Sequence, residues 1–240
     1  MTICLAEPGH ACAPRLFPPP RSFHRVTTSP SAVLFDLDGT LVDTIGLILG
    51  SMRHSFAGRE RAPTDAAWLS QLGRPLPVMM APYADGDADI AALIARYREH
   101  QVAEHDNLIR AYPDATDVVR ELRARGHAIG VVTSKGVKVA QRALDWAGMT
   151  PYISTLVGLE STTIHKPDPT PVRFALEQLG ASASNAWMIG DSPFDLQAGR
   201  GAGTRTCGAL WGPFSRAELE AERPDALANG MRDLLTILAR

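Results

Sequence analysis

From Ala32 onward the chain alternates between two hydrophobic patterns. Short apolar runs stop abruptly at polar or glycine residues: Ala32 to Phe35, Ala128 to Val132, Ser154 to Val157, Ala186 to Ile189 and Thr204 to Cys207. Runs this short, with no polar alternation, predict strands buried on both faces. Between them lie stretches with helical spacing, Thr116 to Arg125, Val137 to Ala147, Thr170 to Leu179 and Asp195 to Gly201. Strand and helix in regular alternation predict an α/β core, a Rossmann-like parallel sheet covered by helices. Glu222, Arg223, Pro224 and Asp225, followed by a helix from Met231 to Leu238, are expected to close the sheet.

One interval breaks the alternation. No comparable strand run lies between the first strand and Tyr112, Pro113, Asp114, and the helical candidates there are Ile45 to Phe56, Thr64 to Gln71 and Asp89 to Glu104. They predict a small helical cap at roughly 46–111, inserted into a core made of 31–45 and 112–240. Residues 1–30, with Pro8, Pro14, Pro18, Pro19, Pro20 and Pro30 and no helix or strand period, are expected to be a disordered tail. A start assigned too far upstream would give the same composition.

Composition then narrows the function classes. With 45% hydrophobic and 21% charged residues in 240, neither global disorder nor a coiled coil is supported. A net charge of −2 leaves no field to gather polyanions, so nucleic acid is not an expected partner. Three cysteines, Cys4, Cys12 and Cys207, form neither a metal-ligand spacing nor a disulfide framework, which fits a reducing cytoplasm. No apolar run approaches the ~20 residues of a membrane span, and no secretory signal is recognisable. The expectation is a cytoplasmic protein with no membrane contact, monomeric or homodimeric. Only Lys135, Lys138 and Lys166 are lysines among the 24 basic residues.

Candidate chemistry begins at the end of the first strand, in Phe35, Asp36, Leu37, Asp38, Gly39, Thr40, Leu41, Val42, Asp43, Thr44. Ligands of open α/β sheets bind beyond the carboxyl ends of strands, which is where Asp36 and Asp38 fall. Asp-Gly alone would be an ordinary turn. An Asp-x-Asp-Gly-Thr string after a buried strand is far rarer, arising by chance in a chain this long at a rate on the order of 10⁻² or less.

In these residues the sequence resembles the haloacid dehalogenase superfamily, and three further motifs follow in order. Thr133 and Ser134 end the strand Ile129 to Val132. His165, Lys166, Pro167, Asp168, Pro169 precede a helix. Gly190, Asp191, Ser192, Pro193, Phe194, Asp195 follow the strand Ala186 to Ile189. The resemblance covers roughly residues 32 to 210. Singly, Lys166, Thr133, Asp191 and Asp195 are ordinary helix-start or strand-end residues; together and in this order they are much more specific.

The resemblance implies that Asp36 is a nucleophile forming an aspartyl-phosphate and that Asp38 protonates the leaving oxygen, then deprotonates the attacking water. It implies Mg²⁺ held by Asp36, the Asp38 backbone carbonyl and Asp191, with Asp195 beside them or reaching the ion through water. Thr133, Ser134 and Lys166 would bind phosphate. The physical chemistry agrees: an ordinary aspartate, with pKa ~3.9, needs no helper base to attack phosphorus, and several carboxylates beside a phosphate need a cation.

Within the superfamily, dehalogenases lack the second aspartate, so Asp38 argues against them. Phosphonatases use a cap lysine, and residues 46–111 contain none. Phosphomutases of the β-phosphoglucomutase type share both aspartates and stay open. The loop Leu72, Gly73, Arg74, Pro75, Leu76 resembles phosphatase caps, and Arg74 could meet an anionic substrate or simply be solvated. The leading expectation is a Mg²⁺-dependent phosphatase acting on a small phosphorylated metabolite, phosphoglycolate first, with a pyrophosphatase as the alternative and a catalytically silent phospho-ligand binder as a further one. His54, His100, His105 and His127, and Trp68, Trp146 and Trp187, are assigned surface or packing roles.

Overall fold

In the computed structural model, which describes residues 31–239, the apolar runs become strands in chain order. β1 is Ala32–Phe35, followed by a two-residue β2, Val42–Asp43. The cap helices are α1 (Ile45–Ser55), α2 (Asp65–Leu69), α3 (Leu76–Met80) and α4 (Asp87–Leu108), after which β3, Arg110–Ala111, returns to the core. The core continues with α5 (Ala115–Ala124), β4 (Ala128–Val132), α6 (Val137–Trp146), β5 (Thr155–Val157) and α7 (Thr170–Leu179). It ends with β6 (Ala186–Gly190), α8 (Pro193–Ala202), β7 (Arg205–Ala209), α9 (Arg216–Ala221), β8 (Ala226–Ala228) and α10 (Leu234–Ile237).

Six strands form one parallel sheet in the order β5-β4-β1-β6-β7-β8. β1 is central, with Val33 in register with Ile129 on one side and Trp187 on the other. Its alternate side chains feed two layers. Val33 and Phe35 join α5, α6 and α10 in one apolar cluster, and Ala32 and Leu34 join α7 and α8 in another. From β1 the chain winds outward through β4 and β5, then crosses back to β6 and winds the other way. Neighbouring strands whose connections leave in opposite directions open a crevice at their carboxyl ends. Asp36 follows β1 and Asp191 follows β6, so the topology itself brings those two carboxylates together.

The cap has its own apolar cluster of Ile48, Met52, Phe56, Trp68, Met79, Met80, Leu93 and Tyr97, which also reaches Leu196, Phe214 and Leu219 of the core. The cap's entry and exit strands pair antiparallel, Val42 with Ala111 and Asp43 with Arg110. Two crossings side by side make a narrow hinge. No described helix is long and apolar enough to cross a membrane.

Several elements depart from the sequence expectation. β2, β3, α3 and β8 are additions, each five residues or fewer and too short to carry a period. α4 is longer than expected at both ends. Asp87 and Asp89 suit the positive end of a helix dipole, and polar Gln101 and His105 continue its buried stripe where hydrophobicity gives no sign of it. The helix expected over Met231 to Leu238 divides into a 3₁₀ turn, Met231–Asp233, and α10. Trp146, expected in the core, is 41% exposed at the end of α6, with Arg110 set over its ring at 5.9 Å. The tail of residues 1–30 lies outside the described residues, as do Cys4 and Cys12; Cys207 is a buried free thiol in β7.

Candidate active site

Asp36 leaves the carboxyl end of β1 with its backbone N–H bonded to the Ile189 carbonyl at 2.9 Å, which locks it against β6. Its side chain is almost fully buried. Lys166, equally buried, donates to Asp36 Oδ1 at 2.9 Å, to Asp195 Oδ1 at 2.6 Å and to the Val132 carbonyl at 3.1 Å. Three acceptors match the three N–H donors of an ammonium, so the lysine is fixed in place. Burial works against its charge, but the carboxylates of Asp195 and Asp36 outweigh that and hold its pKa above the ordinary lysine value.

The acidic residues divide by role. Asp36, Asp191 and Asp195 are buried, with one carboxylate oxygen of each lying within 4.8 Å of the others. Asp195 has both oxygens engaged: Lys166 takes Oδ1, and Ser192 caps α8 through Oδ2 from its N–H at 3.1 Å and its hydroxyl at 2.5 Å. Asp191 differs. Thr40 donates to its Oδ1 at 2.6 Å, but Oδ2 is buried with no hydrogen-bond partner among the described residues. Glycine makes room for that atom, since a methyl group on Gly39, which sits at φ +88°, would lie 2.6 Å from it. Thr40 is itself held by the Trp211 indole N–H, which donates to its carbonyl at 2.9 Å.

Such crowding is unfavourable without a cation. Burial first, and Asp195 second, push Asp36 up to about 7 despite Lys166. Burial, then Asp195 and Asp36, raise Asp191 well above the usual carboxylate range. The ordinary aspartate assumed from sequence is therefore not the one the fold builds. An orphaned carboxylate oxygen beside two further carboxylates fits a hard divalent cation that takes oxygen ligands.

Asp38 points elsewhere. Its Oδ1 accepts from Lys135 Nζ at 2.5 Å and from the Thr44 hydroxyl at 2.7 Å, and its side chain stays outside the acidic cluster. Both partners were legible only as neighbours of motifs: Thr44 ends the first, and Lys135 is one of three lysines. The side chains of Asp36, Asp38, Thr133 and Lys135 line a cavity of about 570 Å³ between core and cap. Ile48, Trp68, Leu72, Leu76 and Met79 form the apolar part of its cap wall, and Arg74, Tyr97, Arg98 and Gln101 the polar part.

Thr133 is seated after β4 by its N–H bond to the Val157 carbonyl at 2.9 Å, and its hydroxyl accepts from the Lys135 N–H at 3.2 Å. Ser134 lines the cavity too, yet its hydroxyl donates to the Gly73 carbonyl and so ties the core loop to the cap. Arg74 reaches the same cavity, holding Gln71 Oε1 at 2.6 Å with its guanidinium 5.9 Å from the Phe194 ring.

A buried carboxylate, a second carboxylate two residues on, a fixed lysine and an acidic cluster that could hold a cation meet at one sheet edge, a set of groups suited to phosphotransfer-type hydrolysis. The chain belongs to the haloacid dehalogenase-like hydrolase family, whose sequence model matches residues 33–209. It is 36% identical over 214 residues to pyrophosphatase PpaX of Bacillus velezensis, covering 86% of this chain and 95% of that one. It is 32% identical over 206 residues to pyrophosphatase PpaX of Oceanobacillus iheyensis, covering 86% and 95%. The fold is shared with the crystal structure of a predicted phosphoglycolate phosphatase from Haemophilus somnus, at TM-score 0.79 and 23% identity over 88% of this chain and 99% of that one.

Proposed function

We propose that the protein is a Mg²⁺-dependent phosphatase of a small phosphorylated metabolite, working through an aspartyl-phosphate on Asp36. The observation that carries this is the Asp36 carboxylate at the floor of the cavity, gripped by Lys166 at 2.9 Å beside the unsatisfied Asp191 Oδ2. Asp36, Asp191 and the Asp38 backbone carbonyl would hold the ion, with Asp195 orienting Lys166 beneath them. When bound, Mg²⁺ supplies positive charge that lowers the carboxylate repulsion and polarises phosphate oxygens.

The residues then divide the reaction. A carboxylate oxygen of Asp36 bonds to phosphorus as the phosphorus bond to the leaving oxygen breaks, and Asp38 gives that oxygen its proton. In the second half, Asp38 takes a proton from water as the water oxygen bonds to phosphorus and the bond from phosphorus to the Asp36 oxygen breaks, returning the carboxylate. The Thr133 hydroxyl and the Ser134 segment steady the phosphate oxygens, Lys166 holds Asp36 in place and supplies positive charge behind it, and Arg74 meets the substrate from the cap.

The apolar part of the cap wall favours an organic phosphomonoester of the phosphoglycolate kind, whose carbon those side chains can contact. Pyrophosphate is the second reading, favoured by the names of the relatives in Bacillus velezensis and Oceanobacillus iheyensis. Phosphate release from both substrates, with Mg²⁺ and with a chelator, tests the proposal. The expected result is chelator-sensitive turnover with the larger kcat/KM on phosphoglycolate. A larger kcat/KM on pyrophosphate selects the second reading, and release from neither contradicts both.

A further inference from the structure

Helix α4 sets Leu93, Tyr97, Gln101 and His105 at intervals of four along one buried stripe. The stripe begins in the apolar cluster of the cap and ends at His105, whose Nδ1 pairs with Asp106 Oδ1 at 2.6 Å. Its two middle members line the 570 Å³ cavity together with Asp38 and Lys135 of the core. Tyr97 is 4% and Gln101 7% exposed. Neither the phenol hydroxyl nor the carboxamide has a hydrogen-bond partner among the described residues, and both residues reach the cavity. The Trp68 ring, 6.3 Å from the Tyr97 ring, packs that side chain in place. Neither polar group is among the sealed-off unpartnered atoms of the described residues, so each is open to whatever occupies the cavity. Burial, and after it the Asp38 carboxylate, raise the Tyr97 phenol above its ordinary pKa, which sets the ring near the residue assigned to the leaving oxygen.

We propose that Tyr97 and Gln101 are specificity-determining residues that hydrogen-bond the leaving group, and that the leaving group they select carries an oxyanion beyond the bridging oxygen. This rests on the reading of Asp36 and Asp38 given above. The phosphoryl group is the same in every substrate and is held by core residues, so discrimination must come from groups that touch what departs. Departure is toward Asp38, and Asp38 shares the cavity with Tyr97, Gln101 and the Lys135 ammonium that pairs with it at 2.5 Å. Two neutral donors beside Lys135, in a cavity that Arg74, Arg98 and Lys138 also line, suit a carboxylate, as in phosphoglycolate, or a second phosphate, as in pyrophosphate. A site built to hydrogen-bond such a group discriminates strongly against an analogue lacking it.

The test uses the full chain with Mg²⁺ and three substrates: phosphoglycolate, pyrophosphate, and phenyl phosphate, whose leaving group has no oxygen beyond the bridge. Tyr97→Phe and Gln101→Leu should each lower kcat/KM by about tenfold or more on the preferred oxyanion substrate, chiefly through KM, and change phenyl phosphate by less than about twofold. Whichever oxyanion arm falls identifies the leaving group. Gln101→Glu keeps the size and repels an oxyanion, so it should lose more on that same arm while sparing phenyl phosphate. Equal losses on all three substrates would overturn the assignment in favour of a structural role, as would no loss on any. A wild-type chain releasing phosphate from none of the three would overturn the phosphatase reading itself, and this inference with it.

Discussion

Asp36 and Asp38 stand two residues apart, and the fold gives them different surroundings. Asp36 is buried against Lys166 and the acidic cluster, while Asp38 turns to Lys135 and Thr44. Asp36→Asn keeps the shape and removes the nucleophile, so turnover should fall by at least about 10³-fold, on the scale of removing a covalent catalyst, with near-native circular dichroism. Retained turnover would remove Asp36 from its assigned role. Gly39→Ala should be as damaging for a steric reason: at φ +88° any side chain is strained, and this one would sit 2.6 Å from Asp191 Oδ2. Loss of the Mg²⁺ dependence of melting would check that. Much of this was legible in sequence because Asp36, Asp38, Thr133, Lys166 and Asp191 each directly follow, or lie near, a strand that announces itself as an apolar run. What sequence did not show is contact across elements. The Lys135 pair with Asp38 spans 97 residues and the Thr40 bond to Asp191 spans 151, and local pattern holds no trace of either. Tyr97 and Gln101 are ordinary helix residues until the cavity shows which way they face.

At the scale of elements, the sheet was readable because buried parallel strands are nearly all apolar, as in the fully buried β1, β4 and β6. The hinge was not. β2 and β3 have two residues each, and their pairing of Val42 with Ala111 is a long-range register that no period encodes. The Gly73 turn is a further contact between cap and core, since its carbonyl accepts from Ser134 and a side chain added there would meet Ser192 and Phe194. With φ +98°, and a would-be methyl 3.0 Å from Ser192 Oγ, Gly73→Ala should cost about 1 to 2 kcal/mol and push this turn away from the core. The expected kinetic result is a KM raised several-fold with a smaller change in kcat. An unchanged KM would mean that the turn does not shape the cavity.

For the whole molecule, a near-neutral charge conceals a local excess of carboxylate that folding must bury. Asp36 is raised from 3.8 to about 7, and Asp191 shifts in the same direction. A carboxylate whose folded pKa lies above its unfolded value stabilises the fold below the unfolded value and loses that contribution as pH rises to the folded one. Without metal, the cluster should therefore cost stability progressively from about pH 4 to about pH 7. Mg²⁺ binds the deprotonated form, so the rise in Tm that it gives over a chelator should be small at pH 5 and larger at pH 7.5. A metal-induced rise that is equal at both pH values would contradict the cluster as the metal site. Removal of residues 1–30 should leave turnover unchanged, because every site residue lies between Asp36 and Asp195; reduced turnover would give that segment a role. The central claim is that phosphorus passes through Asp36, and acid-quenched single turnover followed by peptide mass mapping tests it most directly. The account predicts a hydroxylamine-labile phosphoryl group on the peptide containing Asp36 in the wild type and none there in Asp36→Asn; full phosphate release with no modified Asp36, or with the phosphoryl group on another residue, would contradict it.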